Sequence, residues 1–329
     1  MVGYIAQRLV LAAFTIVAIS ILSFIIIHLP PGDYVTSYIA QMAANGGAVS
    51  AEAAQNLRIQ YGLDQPIYVQ YLRWVGMIVH GNFGMAMQYQ LPVAQVIGDR
   101  LWLTVAVSVA ALLFTWAVAL PIGIYSAIRQ NSILDYLFTF IGFIGLAVPN
   151  FLLALLILYF GFKYFNMNVG GLFSPEYAEA PWSWAKFQDL LAHLPVPAIV
   201  LGMAATAGQI RIMRANLLDE KRKPYVVTAR AKGIPEHRVI LKYPVRVALN
   251  PFASTIGYTL PYIVSGSVIV SIVLSLPTVG PLLYSALVAL DMFLACTIIL
   301  LLGTLTVIGT LLSDLLLMWL DPRIRLEKR

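Results

Sequence analysis

The dominant pattern along the chain is a series of long apolar runs separated by polar segments. A membrane-spanning helix needs about 20 predominantly apolar residues, and several runs reach that length. They predict an all-α polytopic membrane protein with six transmembrane helices, at about Leu9–Leu29, Leu101–Ile128, Leu134–Phe162, Leu194–Met213, Pro251–Leu276 and Phe293–Leu317.

The first run is too long for the apolar core of a signal peptide, and Pro30-Pro31-Gly32-Asp33 does not resemble a small-residue cleavage site. We therefore expect a retained anchor. The predicted organisation is an N-terminus with the first transmembrane helix at 1–29, an extramembrane segment at 30–99, and a five-helix core at 100–329 that carries a basic loop at about 214–246. Within the extramembrane segment, Ala51–Tyr61 is helix-like.

The distribution of charge predicts the orientation. Sixteen Lys and Arg fall on one side of the membrane if both termini and the loops 129–135 and 214–246 are placed there, against five on the other side. The positive side is the cytoplasmic one. The net charge of +6 therefore reports topology, and we expect no nucleic-acid partner.

Composition supports the membrane class, since 60% of the residues are hydrophobic and 11% charged, whereas soluble domains carry about 25% charged residues. The sequence contains no phosphate-binding Gly-x-x-x-x-Gly-Lys-Ser/Thr and no common hydrolase motif. The four histidines are far apart, and Cys296 is the single cysteine. We predict no catalytic residue and no metal site, with an intramembrane enzyme as an alternative.

The basic loop predicts two short helices, Val226–Lys232 and 236–243, separated by Gly233 and Pro235. A solvated basic loop explains the charges. A hairpin that docks into a groove on a partner also explains the small and apolar residues Ala229, Ala231, Gly233, Ile234, Val239, Ile240 and Leu241.

Residues Tyr225–Gly233 resemble the cytoplasmic loop of binding-protein-dependent ABC importers, whose general signature is Glu-Ala-Ala, three residues, then Gly. Ala229 and Gly233 match it, while Val227 and Thr228 stand at its first two positions. Further segments that look like this family follow in order along the chain: 4–9, 28–33, 62–66, 70–74, 81–84 and 320–325. We identify the group as the oligopeptide/dipeptide/nickel permeases, first permease subunit.

This resemblance implies a subunit that moves oligopeptides or dipeptides by alternating access and is not itself an enzyme. Its partners would be a second homologous permease subunit, two cytoplasmic ATPase subunits, an extracytoplasmic solute-binding protein and membrane lipid. ATP and Mg would be bound by the ATPases, with no cofactor in this chain. The location would be the bacterial inner membrane, multi-pass, with both termini cytoplasmic.

By the same resemblance, the ATPase-coupling loop would comprise Tyr225, Thr228, Ala229, Arg230, Ala231, Lys232, Gly233, Ile234, Pro235 and Glu236. Kinked or closely packed helices predict a translocation pathway at Pro149, Asn150, Gly208, Pro261 and Ser265, with a purely structural packing kink as the alternative at each position. Gly202, Gly208, Gly257 and Gly266 are expected to allow close helix packing.

Other solutes remain open, namely oligosaccharide, opine or nickel, as does a self-contained carrier. Asp314 is the clear ionisable residue inside a predicted span. It either pairs with a basic residue near Arg323 or Arg325, or it takes part in transport.

Overall fold

The computed structural model of the chain describes residues 2–165, 169–254 and 268–320. Two short strands, β1 (Met85–Ala86) and β2 (Leu91–Pro92), pair antiparallel with Met85 opposite Pro92. The helices are α1 (Val2–Ile27), α2 (Tyr34–Ala44), α3 (Ala51–Tyr61), α4 (Ile67–Val79), α5 (Val93–Ile97), α6 (Arg100–Ile128), α7 (Ile133–Ala147), α8 (Asn150–Phe165), α9 (Pro175–Ala178), α10 (Trp184–His193), α11 (Pro195–Glu220), α12 (Pro224–Ala231), α13 (Glu236–Lys242), α14 (Pro244–Ser254), α15 (Val279–Val288) and α16 (Met292–Leu320).

The all-α polytopic prediction is confirmed. Within the described residues, four stretches are long and apolar enough to cross a membrane, in α1, α6, α11 and α16, and a fifth arises if α7 and α8 count as one span. The predicted span at about Pro251–Leu276 falls largely on residues 255–267, which lie outside the described residues. The count of six therefore stays a prediction.

The third apolar run is broken rather than straight. Helices α7 and α8 meet at an angle of 101°, at the position of Pro149. Proline lacks the backbone N–H that a continuous helix needs, and it disfavours helical geometry in the preceding residue. Val148 is accordingly extended. The predicted break at Pro149 is confirmed, and it divides the run into two helices.

The chain divides into two compact units. The first unit comprises Val2–Thr104 and Thr278–Val307, and it contains the polar segment 30–99. Its buried core includes Phe24, Trp74 and Met87. These residues come from α1, α4 and the β1–β2 connection, so the short helices of the polar segment pack around one apolar centre.

Two polar contacts shape the segment 30–99. Asp33 begins α2 by accepting a hydrogen bond from the Thr36 N–H at 2.8 Å, and Arg58 Nε of α3 donates to the same carboxylate at 2.7 Å. Burial opposes ionisation of Asp33, but the bonds from Arg58 and Thr36 outweigh it and lower its pKa. Helix α3 occupies Ala51–Tyr61, as the sequence predicts, and ends at Gly62 with φ +70°.

Asp291 fixes the start of α16 in the same unit. It is fully buried, and its carboxylate accepts bonds from the backbone N–H of Gln88 at 3.0 Å and of Leu294 at 3.2 Å. Burial raises the pKa of Asp291 to about 6. The carboxylate thereby ties the residue after Met87 to the first turn of α16.

Helix α11 is central to the second unit, whose described residues are 105–165, 169–254, 268–277 and 308–320. It packs against α14, α7 and α8, and it runs through Glu220. The predicted span ends at about Met213, and the helix itself continues seven residues beyond it. Arg214, which the sequence pattern places in the loop, lies within this helix and pairs with Asp135 of α7.

The glycines of α11 differ in their surroundings. A Cβ on Gly202 would lie 2.7 Å from Phe114 Cδ1 and 3.0 Å from the Ala111 carbonyl oxygen of α6, so close packing is confirmed there. A Cβ on Gly208 would meet no atom of the described residues within 4 Å, so the prediction of close packing against them is wrong for Gly208. Gly257 and Gly266 lie outside the described residues.

This contrast gives a matched pair of substitutions. Gly202→Ala should destabilise the protein by about 1–3 kcal/mol through overpacking. Gly208→Ala should be neutral or stabilise by up to about 1 kcal/mol, because alanine favours the helix. Unfolding of both variants in mixed detergent micelles measures the difference, and equal stability would contradict the described packing of α6 on α11.

Candidate functional site

The basic loop folds into a hairpin of two short helices, α12 and α13, which we call the α12–α13 hairpin (residues 224–243). Pro224 occupies the first turn of α12, where its missing N–H costs nothing. Gly233 lies just beyond the end of α12 with φ +73°. A second proline, Pro235, precedes α13, so the predicted pair of helices is confirmed.

The turn between the helices is held by one backbone bond and one ion pair. The Gly233 N–H donates to the Arg230 carbonyl oxygen at 2.9 Å. Arg230 also donates two hydrogen bonds to the Glu236 carboxylate, from Nη2 to Oε1 at 2.7 Å and from Nε to Oε2 at 3.0 Å. A bidentate pair of this kind fixes direction as well as distance, so it closes the turn.

The hairpin has a small apolar core of its own. Val226 and Ala229 of α12 are buried against Val239 of α13, with Ile234 and Tyr243 packed beside them. Two such short helices have no stability in isolation. The shared core is therefore what holds them together.

A second contact joins the hairpin to the membrane-spanning helices. Ile240, the residue after Val239, is buried in a different cluster with Met213 of α11 and Phe252 of α14. Lys221, between α11 and α12, donates to the Ala127 carbonyl oxygen of α6 at 2.9 Å. The hairpin is thus attached to three helices of its unit.

The electrostatics of the hairpin are basic. Its cationic side chains outnumber the acidic ones and comprise Arg230, Lys232, Arg238 and Lys242, and Arg222 and Lys223 directly precede it. The bond from Arg230 lowers the pKa of Glu236, so that carboxylate stays ionised. Burial, and then the bond that Tyr225 donates to Glu220, raise the pKa of the Tyr225 hydroxyl. Within the described residues, no group of three His, Cys, Asp or Glu is arranged to hold a metal ion.

Most of the predicted coupling residues lie at the surface of the hairpin, but one does not. Ala229 is only 5% exposed, and Ile234 is half-buried. Val239 and Ile240, expected to contact a partner, are also buried within the chain. The exposed residues are Tyr225, Thr228, Arg230, Ala231, Lys232, Gly233, Pro235 and Glu236.

Two apolar side chains stand out on the surface of the hairpin. Val227 is 56% exposed and Leu241 is 60% exposed, although both belong to helices with buried faces. Val227 occupies one of the signature positions that did not match, so the sequence comparison gave no reason to select it. Exposed apolar groups beside cationic side chains are candidate contacts for a partner protein.

The predicted pathway residues are spread over separate helices. Pro149 and Asn150 stand at the α7–α8 break, and Gly208 stands in the middle of α11. Pro261 and Ser265 lie outside the described residues. The pathway assignment therefore stays a prediction.

A buried ion pair between α7 and α11 was missed by the sequence analysis. Arg214 Nη2 lies 2.9 Å from Asp135 Oδ2, and the Asp135 side chain is 3% exposed. The sequence feature that could have predicted this ion pair is an acidic residue in the first turn of one apolar run together with a basic residue near the end of another. Beside this pair, α7 and α11 border a pocket that also contains Arg211.

Comparison with known proteins covers nearly the whole chain. Residues 119–326 match the family model described as the binding-protein-dependent transport system inner membrane component. Residues 1–108 match the N-terminal model of the same membrane components. The second match ends within α6, so the two models together include the segment 30–99, the α12–α13 hairpin and the helices that hold it.

Individual relatives match over their full length. The oligopeptide transport system permease protein AppB of Bacillus subtilis (strain 168) is 34% identical over 325 residues, 98% of this chain and 99% of the relative. The dipeptide transport system permease protein DppB of Escherichia coli (strain K12) is 30% identical over 344 residues, 100% of both. The peptidoglycan transport system permease protein YejB of Agrobacterium fabrum (strain C58 / ATCC 33970) is 29% identical over 361 residues, 99% of both.

Proposed function

Since the chain belongs to the family of binding-protein-dependent transport system inner membrane components, we propose that it is the first permease subunit of an ATP-driven importer of oligopeptides or dipeptides. The observation that carries this proposal is the full-length similarity to permeases named for oligopeptide and dipeptide transport. The similarity to a permease named for peptidoglycan transport supports a peptide-bearing solute more than an opine or nickel.

The protein is a multi-pass protein of the inner membrane. Both termini and the α12–α13 hairpin face the cytoplasm in this proposal, because the Lys and Arg residues concentrate there. The segment 30–99 then lies outside, where it is available to a solute-binding protein.

The α12–α13 hairpin couples the chain to an ATPase subunit. Val227 and Leu241 enter an apolar groove on the ATPase, and the surrounding basic side chains meet its acidic rim. ATP binds to and is hydrolysed on the two ATPases, and this chain supplies none of the phosphate-binding groups. Because Ile240 is buried with α11 and α14, a displaced hairpin moves these helices with it.

That displacement supports alternating access. Closure of the two ATPases brings the hairpins of this chain and of a second, homologous permease subunit together, and the attached helices rotate. The pathway between the permeases then opens to one side at a time. Pro149, where α7 and α8 meet at 101°, is a place where the chain lining that pathway can bend.

A pull-down of the tagged chain from solubilised membranes, followed by mass identification, tests the assembly. Recovery of a second permease and two ATPases with phosphate-binding motifs is the expected result. ATP-dependent uptake of peptides by the reconstituted complex, with its binding protein, tests the solute. A chain that purifies alone and moves solute in vesicles without ATP would overturn the proposal.

Substitutions at the exposed apolar residues test the docking contact. Val227→Glu and Leu241→Glu should reduce co-purification of the ATPases at least about tenfold, because a buried carboxylate without a partner costs several kcal/mol. Membrane insertion should be unchanged, since both side chains are exposed. Val79→Glu, at an exposed valine of the segment 30–99, is the matched control. Normal recovery of the ATPases with both hairpin variants would contradict the docking assignment.

A further inference from the structure

Helices α7 and α11 border a groove that the proposed transport cycle does not use. Its floor is formed by small residues: a Cβ on Gly142 would lie 3.6 Å from the Cβ of Ala207. Phe138 and Phe143 line the groove along α7, and Arg211 lies on the α11 side. One part of the groove is therefore cationic and the rest is apolar.

The two helices run antiparallel, which sets the direction of the groove. Asp135 pairs with Arg214, Gly142 lies beside Ala207, and Gly145 lies beside Met203. Moving along α7 from Asp135 thus means moving along α11 away from its charged end. The cationic end of the groove lies near the membrane surface, and the apolar end lies deeper.

The length of the apolar stretch before Arg211 indicates that its guanidinium lies close to the lipid headgroups. It is the first charged residue after Pro195, and the intervening stretch spans about 24 Å at the rise of an α-helix. The hydrocarbon core of a bilayer is about 30 Å thick. A flexible arginine at this depth reaches the interface with its guanidinium while its stem stays among apolar groups.

The two arginines of the groove differ in their partners. Arg214 is saturated by a bidentate contact with Asp135. Arg211 is exposed, and within the described residues no acidic side chain pairs with it. A guanidinium at the edge of hydrocarbon is stabilised by an anion, and phosphate is an anion that arginine binds through two parallel donors.

We propose that this groove binds an anionic phospholipid, with the phosphate held by Arg211 and one acyl chain lying along Gly142 and Ala207. A cation at the interface and an apolar floor below it match an amphiphile. A peptide fits less well, because its backbone amides need partners and Thr139 is the single uncharged polar side chain among the described residues that line the groove. The inference rests on the membrane location and is independent of the coupling role of the hairpin.

Native mass spectrometry of the purified complex, delipidated and titrated with phosphatidylglycerol or phosphatidylcholine of the same acyl chains, tests the proposal. The wild type should bind one phosphatidylglycerol more tightly than phosphatidylcholine. Arg211→Gln should weaken that binding about tenfold, which corresponds to one lost charge-assisted contact, while Arg211→Lys should retain most of it. Arg129→Gln, at an exposed arginine of the neighbouring loop, is the control for general charge loss.

A second variant tests the apolar half of the groove without changing any charge. Gly142→Leu projects a side chain over Ala207, so it should displace the acyl chain and lower phosphatidylglycerol binding to the same extent. Equal binding of the two lipids, or unchanged phosphatidylglycerol binding in Arg211→Gln, would overturn the proposal. Displacement of the lipid by a short peptide with a free carboxylate would also overturn it, because the groove would then belong to the solute pathway.

Discussion

Replacing Gly233 by proline is expected to abolish ATP-driven uptake while leaving the protein in the membrane. Gly233 has φ +73° and donates its N–H to the Arg230 carbonyl oxygen. Proline fixes φ near −65° and has no N–H, so the turn that positions α13 after α12 cannot form. Gly233→Ala retains the N–H and should cost about 1–2 kcal/mol, giving partial uptake.

Gly46 provides a matched control for this substitution. It also follows a helix, with φ +79°, and it donates its N–H to the carbonyl oxygen three residues earlier, that of Ala43. In the described part of the chain, neither glycine has an atom within 4 Å of the position that a Cβ would take. Gly46→Pro should leave ATPase co-purification intact, whereas Gly233→Pro should lose it. Normal uptake by Gly233→Pro would refute the coupling assignment.

The second large effect is expected at the ion pair between α7 and α11. Arg214→Met leaves the carboxylate of Asp135, a residue only 2% exposed, without its cation. Breaking a buried pair from one side costs about 3–5 kcal/mol. We therefore expect a large loss of stability, measured by unfolding in mixed detergent micelles without anionic lipid.

The matching controls separate the pair from general effects of charge. The double variant Asp135→Asn with Arg214→Met should recover much of the stability, because no charge is then buried alone. Arg211→Met, three residues earlier on an exposed position, should be nearly neutral in the same assay. A stable Arg214→Met protein would contradict the described pairing of α7 with α11.

The sequence predicts the hairpin well, because its boundaries depend on local backbone chemistry. Proline at 224 and 235 and glycine at 233 set where a helix begins or ends. Whether a side chain of the hairpin is buried, by contrast, does not follow from local backbone chemistry. Ala229 and Ala231 have the same side chain, but only Ala229 faces Val239, and that distinction depends on how α13 folds back on α12.

The end of α11 shows a second limit. Hydropathy places the end of the span before Arg214, because an isolated charge disfavours membrane burial. The charge is neutralised by Asp135, which is 79 residues away in the sequence. A single sequence does not reveal such pairing between helices, and Gly208 likewise could not be distinguished from Gly202 without the neighbouring atoms. The predicted partners of Asp314, Arg323 and Arg325, lie outside the described residues.

The neighbouring residues Val239 and Ile240 restrict how the hairpin can be exchanged between proteins. Val239 is buried in the core of the hairpin, and Ile240 is buried in the cluster of α11 and α14. A junction placed within α13 therefore disturbs at least one of the two clusters. A chimaera that receives only residues 224–239 from another permease would inherit a foreign junction at Ile240. Transplanting ATPase specificity therefore requires moving Ile240 together with the residues that surround it, including Met213 and Phe252.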